Sequence, residues 1–168
     1  MKKLKARNFE CIKMDNSEME YKKQWKRSKI VFDNFYEYLK RKGLKEESAG
    51  KQTEMVAYFI MDYLFVYDCA NSILEVSGVT IRKFLGNWYI RKDWGPKISI
   101  IKDYLRAISN FYKFLNEKGF ISKEKLGDIK EVCKDIDWFE MRNRTYFMAE
   151  GDELLEWIDD YNYGSWYV

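Results

Sequence analysis

The chain has 168 residues, 46% of them hydrophobic and 18% aromatic, with 34% charged residues spread along its length and a formal net charge of +3. That composition suits one folded domain with a proper core and excludes a disordered chain or two full domains. Nine glycines and one proline are few breakers for this length and favour long helices.

Charge is uneven. Residues 1–51 hold 15 Lys/Arg against 8 Asp/Glu, residues 52–121 hold 9 against 7, and residues 122–168 hold 6 against 12. A basic front and an acidic end suit contact with a polyanion through the first two segments, or simply an uneven solvated surface. Three cysteines (Cys11, Cys69, Cys133) occur with no histidine and no paired spacing. They predict reduced thiols in an intracellular protein and argue against structural zinc, with Cys69 and Cys133 as small buried residues. The start, MKKLKARNFECIKMD, lacks the apolar run of a signal peptide. The apolar stretch Met55 to Val66 is too short to span a membrane and reads as a buried core helix. The expected location is the cytoplasm.

In chain order, a basic lead over 1–16, mobile at its start, precedes a helix capped by Asp15, Asn16 or Ser17 and stopped by Gly43. Lys40, Arg41 and Lys42 fall at its C-terminus, where the helix dipole favours cations. A second helix follows Leu44 and runs to about Tyr67, polar at Ser48, Lys51, Gln52 and Thr53 and then apolar on several sides. Residues 68–72 connect, Leu74 to Val76 are expected to be briefly extended, and a third helix covers about Val79 to Lys92.

The fourth helix, after Trp94, Gly95 and Pro96, is the most regular. Ile98, Ile101, Leu105, Ile108, Tyr112 and Leu115 recur at three- and four-residue steps and mark its core side. Ser99, Lys102, Arg106, Ser109 and Lys113 form a second row without an acidic residue, and Lys97 stands just ahead of it. Such a row reads either as a solvated face or as a face for phosphates. After Gly119 a fifth helix is predicted to start at Ser122 and to include Leu126, Ile129, Val132, Cys133 and Ile136. Residues 138–146 are ambiguous. A last short helix spans about Gly151 to Asp160, followed by the aromatic tail YNYGSWYV, in which Tyr161, Tyr163, Trp166 and Tyr167 suit folding back or docking on another subunit. No strand alternation is evident, so the expected class is all-α, a compact bundle of four to six helices. The expected division is a lead over 1–16, a helical domain over 17–121 and an acidic helical extension over 122–168.

No nucleophile elbow, Gly-rich phosphate loop or metal-ligand spacing occurs, and Glu46/Glu47 and Asp159/Asp160 point in different directions on their helices. Neither a cofactor nor a small-molecule substrate is expected.

Three segments carry a resemblance: VFDNFYEYLKRKGLKEESAGKQTEMVAYFIMDYLFVYD, ILEVSGVTIRKFLGNWYIRK and ISIIKDYLRAISNFYKFLNEKGFI. Their order over about residues 32–121 resembles the N-terminal core-binding (SAM-like) domain of tyrosine recombinases, the phage-type integrases. RTYFMAEGDELLEWIDD is similar to the linker and first helix that open the catalytic domain of that family. The resemblance implies a helical bundle clamping duplex DNA, with Ser48, Lys51, Gln52, Lys97, Ser99, Lys102, Arg106, Ser109 and Lys113 as DNA-binding residues. It also leaves open self-association or a recombinase partner. The family cleaves DNA with a tyrosine set among arginines and a histidine-containing motif. This chain has no histidine, so no enzyme activity is expected of it. The competing expectation is a protein-interaction module working through the acidic, aromatic C-terminal part.

Overall fold

The structure is a computed structural model that describes residues 3–12, 18–93 and 96–163, with side chains through residue 159. Among the described residues it is all-helical, with seven helices and no strand. We number them α1 (Glu18–Arg41), α2 (Glu46–Tyr58, continued by Phe59–Tyr67), α3 (Gly78–Lys83, Phe84–Trp88 and Tyr89–Lys92), α4 (Ile98–Glu117), α5 (Lys123–Lys134), α6 (Ile136–Met148) and α7 (Asp152–Tyr163).

α4 is the axis of the core. Ile101, Leu105, Ile108, Tyr112 and Leu115 are buried as the spacing predicts, and Tyr104, Phe111 and Phe114 widen the apolar face. α1 lays Phe35 against it, 5.2 Å from Phe111 in an edge-on arrangement and 5.8 Å from Phe114. Such aromatic pairs add to the stabilisation of burial. α1 and α4 both stop at a glycine because the chain turns left-handed there, at Gly43 and Gly119. Gly119 has φ +78°, and the amide of Phe120 then donates to the Leu115 carbonyl at 2.9 Å, closing the helix end.

The expected count of four to six helices falls short because the C-terminal third supplies three. The fifth helix, predicted to include Ile136, breaks at Asp135, whose backbone (φ −78°, ψ 62°) is not helical, and the chain restarts as α6 through the ambiguous stretch. Ser122 does begin α5, its Oγ accepting from the Lys125 amide at 3.1 Å. α6 approaches α3 so closely that a methyl group on Gly86 would overlap the Trp138 indole. Arg142 of α6, 4% exposed, donates from Nε to the Gly86 carbonyl (3.1 Å) and from a terminal nitrogen to the Trp157 carbonyl (2.9 Å), and its guanidinium lies over the Trp157 ring. Ile129, Val132, Phe139 and Trp157 thus join the same core as α1–α4, so the extension is packed into the bundle.

The basic lead is anchored at its described end: Phe9 is fully buried with its ring 4.5 Å from Phe120, and Glu10 bridges to Ser72. Two further local expectations are corrected. Residues Ile73–Glu75 form a 3-10 turn where an extended segment was predicted, because the Ser72 hydroxyl accepts from the Leu74 amide and winds the chain. Cys69 is exposed, with φ +52° as the chain leaves α2, whereas Cys133 is buried as expected and burial pushes its thiol up to about 12. The predicted caps Asp15, Asn16 and Ser17, the break residues Trp94 and Gly95, and the tail residues Trp166 and Tyr167 lie outside the described residues, as do the side chains of Tyr161 and Tyr163. No described helix is long and apolar enough to cross a membrane.

Two stretches depart from α geometry. Phe59–Tyr67 in α2 and Phe84–Trp88 in α3 are π-helical, the Asp68 amide reaching back to the Tyr63 carbonyl and the Tyr89 amide to the Phe84 carbonyl. These wider turns stand against one another: the Phe84 ring lies 4.8 Å from Phe59 and 5.0 Å from Tyr63, and Trp88 lies 5.4 Å from Tyr63.

Candidate nucleic-acid interface

The outward face of α4 follows from its period: the side chains left over by the buried stripe are Ser99, Lys102, Arg106, Ser109 and Lys113. Ser99, Arg106 and Lys113 are exposed, while Lys102 and Ser109 are half-buried. Lys97, also exposed, is the residue immediately before the helix, with extended backbone and no side-chain cap.

α2 crosses beside this row. Ala49, fully buried, turns one side of its first turns inward, leaving Ser48 and Lys51 exposed and Gln52 half-buried. Two contacts join the helices. Lys51 Nζ meets Asp103 Oδ2 at 2.5 Å, and Arg106 reaches Oδ1 of the same carboxylate at 3.3 Å. One step along, Asn110 donates from Nδ2 to Gln52 Oε1 at 2.8 Å. Lys51, Gln52 and Arg106, separated by up to 55 positions in sequence, are thereby gathered on one solvent-facing surface.

Other predicted residues are drawn elsewhere. Lys102 leans to α6, where its Nζ lies 2.7 Å from Glu140. Lys113 lies toward the far end, near Glu117. Burial raises the Glu117 carboxyl, but hydrogen bonds from Lys42 and Tyr38, with the charges of Lys42 and Lys113, outweigh it and hold the group below its ordinary range. Tyr38, buried and donating to Glu117 at 3.0 Å, is pushed up to about 12.

Two residues that shape the electrostatics were missed by sequence reasoning. Asp103 and Glu140 place a carboxylate against each of the three central cations. The Asp103–Arg106 pair was available as an i, i+3 spacing of opposite charges, but its third member lies 52 residues away and Glu140 lies 38 residues from Lys102. The side chains of these pairs are 28% to 66% exposed, so each pair contributes about 1 kcal/mol or less and yields readily to a competing anion. The start of α2 offers less than expected: Glu46 and Glu47 occupy its first turn, where the dipole is already answered by carboxylates. The first turn of α4 contains no acidic residue.

Comparison of the chain with protein-family models, curated proteins and solved structures gave no match.

Proposed function

We propose that this chain is a non-catalytic DNA-binding domain, built like the core-binding (SAM-like) domain of tyrosine recombinases and gripping duplex DNA mainly through phosphates. The observation that carries the reading is the shared Asp103 carboxylate, which sets Lys51 of α2 and Arg106 of α4 side by side on an exposed surface. In the structure Asp103 pairs with Lys51 and Arg106, and Glu140 with Lys102. Phosphates replace the carboxylates on binding, a substitution of one exposed ion pair for another that costs little. Ser99, Ser109, Ser48 and Gln52 supply neutral donors around them, and Lys97 and Lys113 extend the positive surface along α4. The basic first 51 residues favour the same partner through long-range attraction.

Fluorescence anisotropy of a labelled duplex titrated with the full chain tests this. Binding is expected at low salt, with the logarithm of affinity falling by about 0.9 per phosphate contact for each tenfold rise in salt. Lys51→Ala with Arg106→Ala is expected to weaken binding and to lower that slope by about 2. Absence of binding to any duplex at low salt would sink the proposal.

A second reading, a protein-interaction module, is favoured by the C-terminal helices: Phe147, Met148 and Leu155 are 63%, 70% and 61% exposed. Large apolar side chains held in water this way suit a protein contact. Light scattering of the full chain and of Phe147→Ser with Met148→Ser tests it through self-association: a dimer lost in the variant supports it, and a monomer in both removes self-association.

A further inference from the structure

A cavity of about 160 Å³ lies at the C-terminal end of α2, lined by none of the residues assigned to DNA. Both π-helical stretches open onto it. Tyr63 and Tyr67 come from one and Trp88 from the other, with the Tyr67 and Trp88 ring centroids 5.7 Å apart. π turns are uncommon and frequent at functional sites; two packed together along one cavity is a specific arrangement. Tyr67 is 54% exposed despite its place among buried aromatics, so its ring borders solvent.

The polar lining is mostly cationic. Arg91 donates from Nε to Asn87 Oδ1 at 2.9 Å and from a terminal nitrogen to the Tyr67 hydroxyl at 3.3 Å, which fixes its guanidinium beside the ring. Lys83, half-buried, also lines the cavity and meets no acceptor among the described residues. Asp68 is the one carboxylate among the lining residues, leaving two cations to one anion. The size suits a single ring, since a cavity of about 150 Å³ is known to hold benzene.

We propose that this cavity binds a small aromatic carboxylate, its ring against Tyr67 and Trp88 and its carboxylate on Lys83 and Arg91. The aromatic walls supply apolar area and the cations fix orientation, the usual division of labour in a small-molecule site. Ile158 of α7 closes one side, and Asn87 donates to the Ile158 carbonyl at 3.2 Å, so an occupied cavity also braces the C-terminal helix.

Calorimetric titration of the full chain with benzoate tests the proposal, with benzyl alcohol as a ring without charge and acetate as a charge without a ring. Benzoate is expected to saturate one site with a Kd of about 1 mM or tighter, and both controls to bind at least about tenfold more weakly. Lys83→Gln and Arg91→Gln are each expected to lower benzoate affinity by about tenfold or more, the scale of one charge-assisted hydrogen bond, and Lys83→Gln to leave the thermal midpoint unchanged. Should Arg91→Gln fail to fold, Lys83→Gln decides alone, because the Lys83 ammonium has no hydrogen bond or ion pair among the described residues that its loss would break. Absence of saturable binding up to about 20 mM benzoate, well beyond what a ligand of this size should need, overturns the proposal. So does benzoate affinity that survives Lys83→Gln unchanged, or a control that binds as tightly as benzoate.

Discussion

The two halves of α2 are opposites within one helix. Its first turns are regular α-helix, polar and exposed at Ser48 and Lys51, and tied to α4 by the Lys51–Asp103 pair and the Gln52–Asn110 hydrogen bond. Its last turns are π-wound, with Phe59, Ile60, Met61, Tyr63, Leu64 and Phe65 all buried. The buried half derives its stability from area removed from water and from ring packing, terms lost whenever an atom is removed. The exposed half is held by contacts whose net contribution is small because water and salt compete for them. The contrast lets one helix be part of the core at one end and present exposed, weakly paired side chains at the other.

The largest effect that sharpens this contrast is expected from Phe84→Ala. Phe84, which opens the π stretch of α3, is fully buried against Phe59 and Tyr63 of the other, and its loss should cost about 3–5 kcal/mol, read by urea denaturation. A loss below about 1 kcal/mol, the range of an exposed site, would break the comparison on the buried side.

A smaller effect of opposite sign is expected at Asp62, the acidic residue within the apolar half. Burial raises its carboxyl above the usual range, while a hydrogen bond with Tyr21 and the charge of Lys92 oppose the shift. The folded state therefore holds this proton more tightly than the unfolded state, and stability declines as pH rises from the ordinary carboxyl value through the raised one. Asp62→Asn should gain stability over the native protein at pH 7 and lose that advantage below the ordinary carboxyl value. An advantage independent of pH would contradict the assignment.

The smallest stability effect is expected at Lys51→Ala, within about 1 kcal/mol of the native protein by the same denaturation measurement. A larger loss would mean that the exposed half is held as firmly as the buried one.

The parts of this arrangement that were legible in the sequence are those set by neighbours along the chain. The stops at Gly43 and Gly119, the start at Ser122 and the buried stripe of α4 each depend on residues a few positions apart. The break at Asp135 carries no glycine or proline and falls between two helices that both pack against α3. The π turns likewise leave no local mark, since Phe59–Tyr67 reads simply as an apolar helical run and its wider winding accommodates rings from α3. At the candidate interface the cations were visible as a row, whereas the carboxylates that face them were hidden by distance: Lys51 and Asp103, and Lys102 and Glu140, meet only in the folded chain. The exposed Cys69 was hidden for a different reason, its apolar neighbours belonging to the end of a helix that the chain then leaves.

The most direct test of the central claim is the affinity of Asp103→Asn for a duplex, measured beside the native protein by anisotropy at one salt concentration. Asp103 pairs with Lys51 and Arg106 in the structure, and in the proposed complex its charge would oppose the phosphates. Removing that charge while keeping the shape should tighten binding by about fivefold, the equivalent of about 1 kcal/mol. Affinity that is unchanged or weaker in Asp103→Asn would contradict the placement of DNA on the Lys51 and Arg106 surface.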